Sequence, residues 1–316
     1  MPEAIVIPQI LGHSEFDNLL EQQKRIVGKI TAAIPGEFLI FDFSENQNIS
    51  MLGLLLIVKM ADEFRAAGYI CKAILPKVKQ PNWIGYIMNL IKSEEPPQEI
   101  QDYLNSFRVP IKRCKNSKES FAAVNQLMII IKNDVKPTEK VLKALNWALW
   151  EIVDNAGLHG YRTYDSTGAD YSGLVYFCAA KLGEVIDIAI LDGGQGIYSS
   201  FLSSGVKKYL HISNEDALKL SIKNEESGHP NGSPGFGLYG CSEIARLGMG
   251  QLLIISGNNK LLFSERGPIT TSSSEYKGTM VSLRIHRDAA FDLIQLFGEN
   301  SVLVSESIDD LIGEFK

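Results

Sequence analysis

The strongest constraint on the fold lies between residues 38 and 75, where strand, helix and strand signals follow one another with little chain between them. Residues 38–43 are an apolar run ending near Asp42 and Ser44, which reads as a buried strand. Residues 51–67 carry Leu52, Leu55, Leu56, Met60 and Phe64 at helical spacing, and Gly68 stands where a helix is commonly terminated. Residues 69–75 read as the next strand, closed by Pro76. A helix between two strands with short links carries the chain back, so the strands run parallel. A helix at 16–34 and a short one at 81–92 complete an α/β domain over residues 1–107. The charged, proline-containing stretch 94–97 marks its edge.

A second domain is expected at 108–288, with a strand at 108–112 and a helix at 118–132. A longer helix starts near Pro137 and Thr138 and runs to about 158, with Leu142, Leu145, Leu149, Ile152 and Ala156 on its apolar face. Strands at 174–180 and 185–191 follow, joined by a turn at 181–184. Residues 196–235 read as a long polar, glycine-bearing stretch with one helical piece at 215–223. A helix at 238–247, strands at 251–256 and 260–263 joined by a hairpin turn at 257–259, and a last strand at 279–286 complete the domain. Residues 289–316 read as a short amphipathic helical tail. The fold class is therefore α/β in two domains.

Charge and composition exclude several function classes. Apolar residues make up 45% and charged residues 22%, a globular balance, and the net charge is −6. Such a chain has no global field to attract nucleic acid or an anionic membrane. The longest apolar run, 51–58, falls far short of the ~20 residues of a membrane helix. The first nine residues include Glu3 and lack the basic-then-apolar pattern of a signal peptide. Cys71, Cys114, Cys178 and Cys241 are scattered, with no metal or redox spacing, which fits a reducing compartment. The expectation is a soluble cytoplasmic protein with neither nucleic acid nor membrane as partner.

Three motifs carry chemistry. Glu151, Asn155 and His159 are four apart and share one helix face. An amide oxygen at Asn155 suits a hard cation such as Mg²⁺, and Glu151 one turn earlier can accept a proton from a water or hydroxyl nucleophile. A solvated helix face accounts for the same stripe, and His159 beside Gly160 can equally cap the helix end. Next, Ile186, Ile188 and Ile190 alternate along a strand that runs into Asp192-Gly-Gly-Gln-Gly196. Asp192 keeps the parity of the isoleucines, so its carboxylate can lie on a cavity floor and accept a hydrogen bond from an exocyclic amine. The glycines let a flat ring approach the backbone; a plain Asp-Gly turn is the bland alternative. Third, Gly232-Ser-Pro-Gly235-Phe-Gly237 leads into a helix, whose N-terminal N–H groups attract phosphate. A flexible loop is the alternative here. The pattern is neither a Rossmann fingerprint nor a P-loop.

In this order the three motifs resemble the N, G1 and G2 boxes of the GHKL ATPase superfamily, the group of gyrase B, the large heat-shock chaperones, MutL and histidine kinases. The resemblance covers about residues 110–290. Lys277-Gly278-Thr279 resembles the group's further Gly-Thr element, whose threonine supports the adenine site. Asn155-Ala-Gly-Leu-His-Gly-Tyr161 is most similar to the anti-sigma-factor serine kinases. The resemblance implies a Bergerat-type α/β sandwich, a mixed sheet with helices on one face, that binds ATP and Mg²⁺. It assigns cofactor binding to Asn155, Asp192, Gly194, Gly196, Ile197, Gly232, Gly235, Phe236, Gly237, Leu238 and Thr279. Within that set Asn155 holds the metal, Asp192 the adenine amine, and Gly235 and Gly237 the phosphates, with Glu151 as catalytic base. It makes 198–231 the ATP lid, a mobile loop.

Residues 1–105, chiefly 38–75, resemble a STAS domain, the fold of anti-sigma-factor antagonists. There a strand leads to Asp-Ser-Ser/Thr-Gly and a helix; here the stretch reads Ser50-Met51-Leu52-Gly53. The glycine and helix are kept, but apolar residues stand where the phosphorylatable hydroxyl would lie. Together the resemblances imply a signalling protein that uses ATP on a protein partner, as a serine/threonine kinase or ATPase. A conformational ATPase working as a homodimer and a non-catalytic nucleotide-binding module are the alternatives.

Overall fold

The computed structural model describes residues 3–8, 10–11, 15–27, 37–46, 48–75, 87, 90–92, 107–115, 117–134, 139–160, 163–164, 170–171, 174–182, 184–224, 226 and 236–286. The chain is mixed α/β with parallel and antiparallel sheets. It divides into two compact units, Met1–Pro110 and Ile111–Lys316.

In the first unit, β1 (Glu3–Val6), β3 (Phe38–Asp42) and β5 (Ile70–Ile74) form a parallel sheet in the order β1-β3-β5. β2 (Ile10–Leu11) pairs in parallel with β4 (Asn48–Ile49). Between β3 and β5 runs α2 (Met51–Ala66), so the expected strand–helix–strand unit is present and its strands are parallel. α1 (Phe16–Val27) buries Phe16, Leu19, Leu20 and Ile26 and packs on β1. The remainder of the helix expected at 16–34 lies outside the described residues. Of the helix expected at 81–92, Ile87 and residues 90–92 are described, as helix. β1 had no counterpart among the expected elements: its apolar run between Pro2 and Pro8 is too short to establish a period. Ser50 caps α2, its Oγ accepting the Gly53 N–H at 3.2 Å. Met51 and Leu52 behind it are buried.

The second unit is built on a five-stranded sheet in the order β11-β12-β10-β9-β6. Its strands are β6 (Phe107–Cys114), β9 (Val175–Leu182), β10 (Val185–Leu191), β11 (Gln251–Ser264) and β12 (Gly267–His286). β9–β10, β10–β12 and β12–β11 are antiparallel. A separate ribbon pairs β7 (Thr163–Tyr164) with β8 (Asp170–Tyr171). α3 (Ser117–Asp134), α4 (Glu139–Gly160) and α7 (Phe236–Leu247) form a helical layer: α4 packs on both of the others. α3 and α4 rest on β9, α4 also on β10, and α7 on β11 and β12. Apolar residues of β10 are buried at both parities, so the strand is covered on both faces.

Two expectations are corrected. The turn expected at 257–259 is absent: β11 runs through it with register shifts at Ser256/Gly257 and Gly257/Asn259, and the hairpin turns at Glu265–Arg266. The stretch 196–235 is folded over most of its described length: α6 (Asn214–Ser221) is the helical piece expected at 215–223, and α5 (Gly196–Ser203) and a 3-10 turn (Lys207–Tyr209) add to it. These bury Ile197, Phe201, Tyr209, Ala217 and Leu218, and α6 packs on β11. The expected tail at 289–316 lies outside the described residues, as do Pro137 and Thr138. Among the described residues, no helix is long and apolar enough to cross a membrane.

Candidate functional site

β10 delivers Asp192 to the end of the sheet, 3% exposed. The β10–β12 register carries one step past Leu191↔Met280, so the Asp192 N–H donates to the Thr279 carbonyl at 2.9 Å. The Asp192 Oδ1 accepts the Gly194 N–H at 2.8 Å, which folds the loop back on its own carboxylate. Tyr276 donates its hydroxyl to the Asp192 carbonyl at 2.6 Å. At the far end of the loop, the Ile197 N–H donates to Ser256 Oγ at 3.0 Å, and Ser256 in turn donates to the Gly278 carbonyl at 2.8 Å. Gly278 has φ +112, and a β-carbon there would overlap the Asp192 carbonyl oxygen and lie 2.8 Å from Gly193 Cα. The β12 backbone is thus pressed against the Asp-Gly loop, and Gly194, Gly196 and Ile197 are all buried beside it.

A second cluster lies where α7 meets α4. Glu151 and Asn155 are half-buried on α4. An added β-carbon at Gly237, in the first turn of α7, would lie 3.0 Å from Glu151 Cβ and 3.1 Å from Asn155 Nδ2. The glycine start of α7 therefore packs against the base of the Glu151 side chain and the Asn155 amide, which share the α4 stripe. Cys241, one turn on, sets its Sγ 3.8 Å from the Ala148 carbonyl. Burial pushes its thiol strongly upward and the nearby Glu151 charge adds to this, so the group stays a neutral thiol. α4 links the two clusters, since it packs on α7 and on β10.

Of the remaining expected site residues, Leu238 is half-buried on α7, and Thr279 is half-buried on β12. Phe236 begins α7; its side chain, that of His159, and Gly232 and Gly235 lie outside the described residues. Of the lid expected at 198–231, residues 198–224 carry most of α5, the 3-10 turn and α6 rather than an unbroken loop. Ser256 and Tyr276 were not singled out in the sequence. The one signal for Ser256 is a hydroxyl closing the apolar run 252–255, and Tyr276 is the lone aromatic in a Ser/Thr-rich stretch.

Among the described residues, no group of three or more His, Cys, Asp or Glu side chains could hold a metal ion. A cation held here by the Asn155 amide oxygen would complete its shell with water and ligand oxygens, the coordination habit of Mg²⁺. The chain's own donors fit that arrangement: a neutral oxygen at Asn155 and a carboxylate one turn away, with Gly237 letting α7 approach both closely. No protein-family model matches the chain, and no curated protein matches it.

Proposed function

We propose that the second unit is a GHKL-type domain that binds ATP with Mg²⁺ and serves a signalling protein acting on serine or threonine of a protein partner. The observation that carries this reading is the seating of Gly237 on Glu151 and Asn155. Two motifs some eighty residues apart in the sequence meet, and the bland readings of each, a solvated face and a flexible loop, do not call for that meeting. Buried Asp192, enclosed by Gly278 and Thr279, supports a base-receiving end. In this reading the Asp192 carboxylate accepts from the adenine amine and Asn155 supplies one oxygen to the metal. The α7 N-terminal N–H groups face phosphate, and Glu151 accepts the proton of the attacking hydroxyl. Bound Mg²⁺ supplies neutralisation of phosphate charge. The first unit would be a STAS-like counterpart without a phosphorylatable hydroxyl, since Met51 and Leu52 are core residues and Ser50 is engaged as a helix cap.

The test is incubation with Mg²⁺ and γ-labelled ATP, with and without a cell extract. Label on a partner supports the kinase, and free phosphate alone supports a conformational ATPase. Binding without turnover supports a non-catalytic module, and no binding rejects the reading. Asp192→Asn should weaken ATP binding roughly tenfold or more, the scale of one charge-assisted hydrogen bond. Glu151→Ala should keep binding and lower turnover about a hundredfold or more; unchanged turnover removes Glu151 from the base role.

A further inference from the structure

We infer that Ser256 and Tyr276 are positioning residues that hold the 192–197 loop in the shape that receives the base, an inference that rests on the nucleotide-binding reading above and deepens it. Both are buried, at 3% and 2% exposure. Tyr276 reaches the Asp192 carbonyl, and Ser256 bridges the Ile197 N–H to the Gly278 carbonyl. One hydroxyl therefore pins each end of the loop, while the Asp192 carboxylate bonds the Gly194 N–H in its middle.

The strand pairing explains why hydroxyls are needed here. Ser256 pairs with Thr279 and Gly257 with Tyr276, so β12 carries Lys277 and Gly278 as extra residues between those two pairs. A bulge of this kind interrupts the ladder and re-aims the backbone. It turns Gly278 onto the Asp-Gly loop, and the two side chains flanking the bulge tie that loop down. Asp192 reaches its site from β10, but the loop that follows it is shaped from β11 and β12. A group that only filled the core would not need its polar atom aimed at loop main chain from both sides.

The experiment uses the full chain and compares wild type with Tyr276→Phe and Ser256→Ala. Titration calorimetry measures affinity for ATP, for adenosine and for Mg-tripolyphosphate, which lacks a base, and melting is followed in parallel. Each variant is expected to lose roughly five- to twentyfold affinity for ATP and adenosine, the range of one buried hydrogen bond, and to keep that for tripolyphosphate. Unchanged ATP affinity in both variants overturns the inference. Equal loss for all three ligands alongside a lowered melting temperature also overturns it, because that is what a merely structural role gives. Should Tyr276→Phe not fold, Ser256→Ala, which loses one oxygen, carries the same comparison. If wild type binds none of the ligands, the nucleotide reading fails and the inference with it. If wild type binds ATP in an Asp192-dependent manner and both variants match it, the inference alone fails.

Discussion

Gly237 and Gly278 sit against the two clusters of the candidate site, yet the same substitution should act on them in opposite ways. Gly237 is the second residue of α7, where alanine is favoured over glycine by at most about 1 kcal/mol in helix propensity. Its added β-carbon would press on the Asn155 amide at 3.1 Å, which can swing aside, and on Glu151 Cβ at 3.0 Å, which yields only if α7 and α4 part by a few tenths of an ångström. Gly237→Ala should therefore leave the melting temperature within about 3 °C of wild type. It should weaken Mg-ATP binding roughly tenfold or more, because the groups displaced are those proposed to meet metal and phosphate. Equal affinity in a titration would separate α7 from the site. At Gly278 the β-carbon meets backbone, the Asp192 carbonyl, which cannot swing away, and φ is +112. Gly278→Ala should cost about 2–4 kcal/mol, read from urea denaturation.

At the scale of elements, β10 and β12 are held in register by one buried charge. Asp187, with no exposed side-chain surface, accepts from Arg284 Nε at 3.2 Å and Nη2 at 3.0 Å, and from Ser282 Oγ at 3.2 Å. A one-residue slip would turn all of these to the opposite face. Burial raises the Asp187 carboxyl above its ordinary 3.8, and the bonds from Arg284 and Ser282 offset this only in part. The folded protein thus holds the proton more tightly than the unfolded chain does. This group's contribution to stability falls as pH rises from about 3.8 through the raised folded value, and the loss is complete above it. Arg284→Met should deepen that loss, costing about 2–3 kcal/mol at neutral pH, less than a fully buried pair because Arg284 is 34% exposed. Much of it should return on acidification, and Asp187→Asn should remove the slope; urea midpoints between pH 3 and 8 check both. Elements with a period were legible in the sequence: α2, α4 and β10 carry enough apolar repeats to be placed within a few residues. β12 was legible only over its buried end. Its stretch from Gly267 to Ser272 pairs with β11 but carries Gly, Pro, Ile, Thr, Thr and Ser, with no hydrophobic alternation. Gly257 and two asparagines imitate a hairpin turn, although the chain passes through them as a bulge. α6 was legible as the helical piece expected at 215–223, whereas α5 was hidden because its few apolar residues bury against β11 and α6, contacts that local sequence does not encode. At the site, Asp192, Glu151, Asn155 and Gly237 were legible from motif chemistry. Ser256 and Tyr276 were not, because their role depends on a register shift between distant strands.

For the whole molecule, the division between units falls within β6, after Pro110, whereas the hydrogen bonding of β6 belongs to the five-stranded sheet. Each unit has its own apolar core, with Ile5, Leu39, Phe41 and Leu55 in the first and Phe177, Ile188, Ile254 and Leu283 in the second. A core of this kind lets a domain fold alone, provided that no strand of its sheet is cut. A fragment beginning just before Phe107 keeps β6 whole beside β9. It should fold with a single cooperative transition and bind Mg-ATP within about threefold of the full chain, since every described site residue lies beyond β6. A fragment beginning at Ile111 removes half of β6 and leaves part of β9 as an unpaired edge. It should be less stable by several kcal/mol and should associate through that edge, the behaviour expected of an exposed strand. Circular dichroism, light scattering and calorimetry on the two fragments make the comparison. A longer fragment that folds but no longer binds ATP would show that the nucleotide site draws on the first unit.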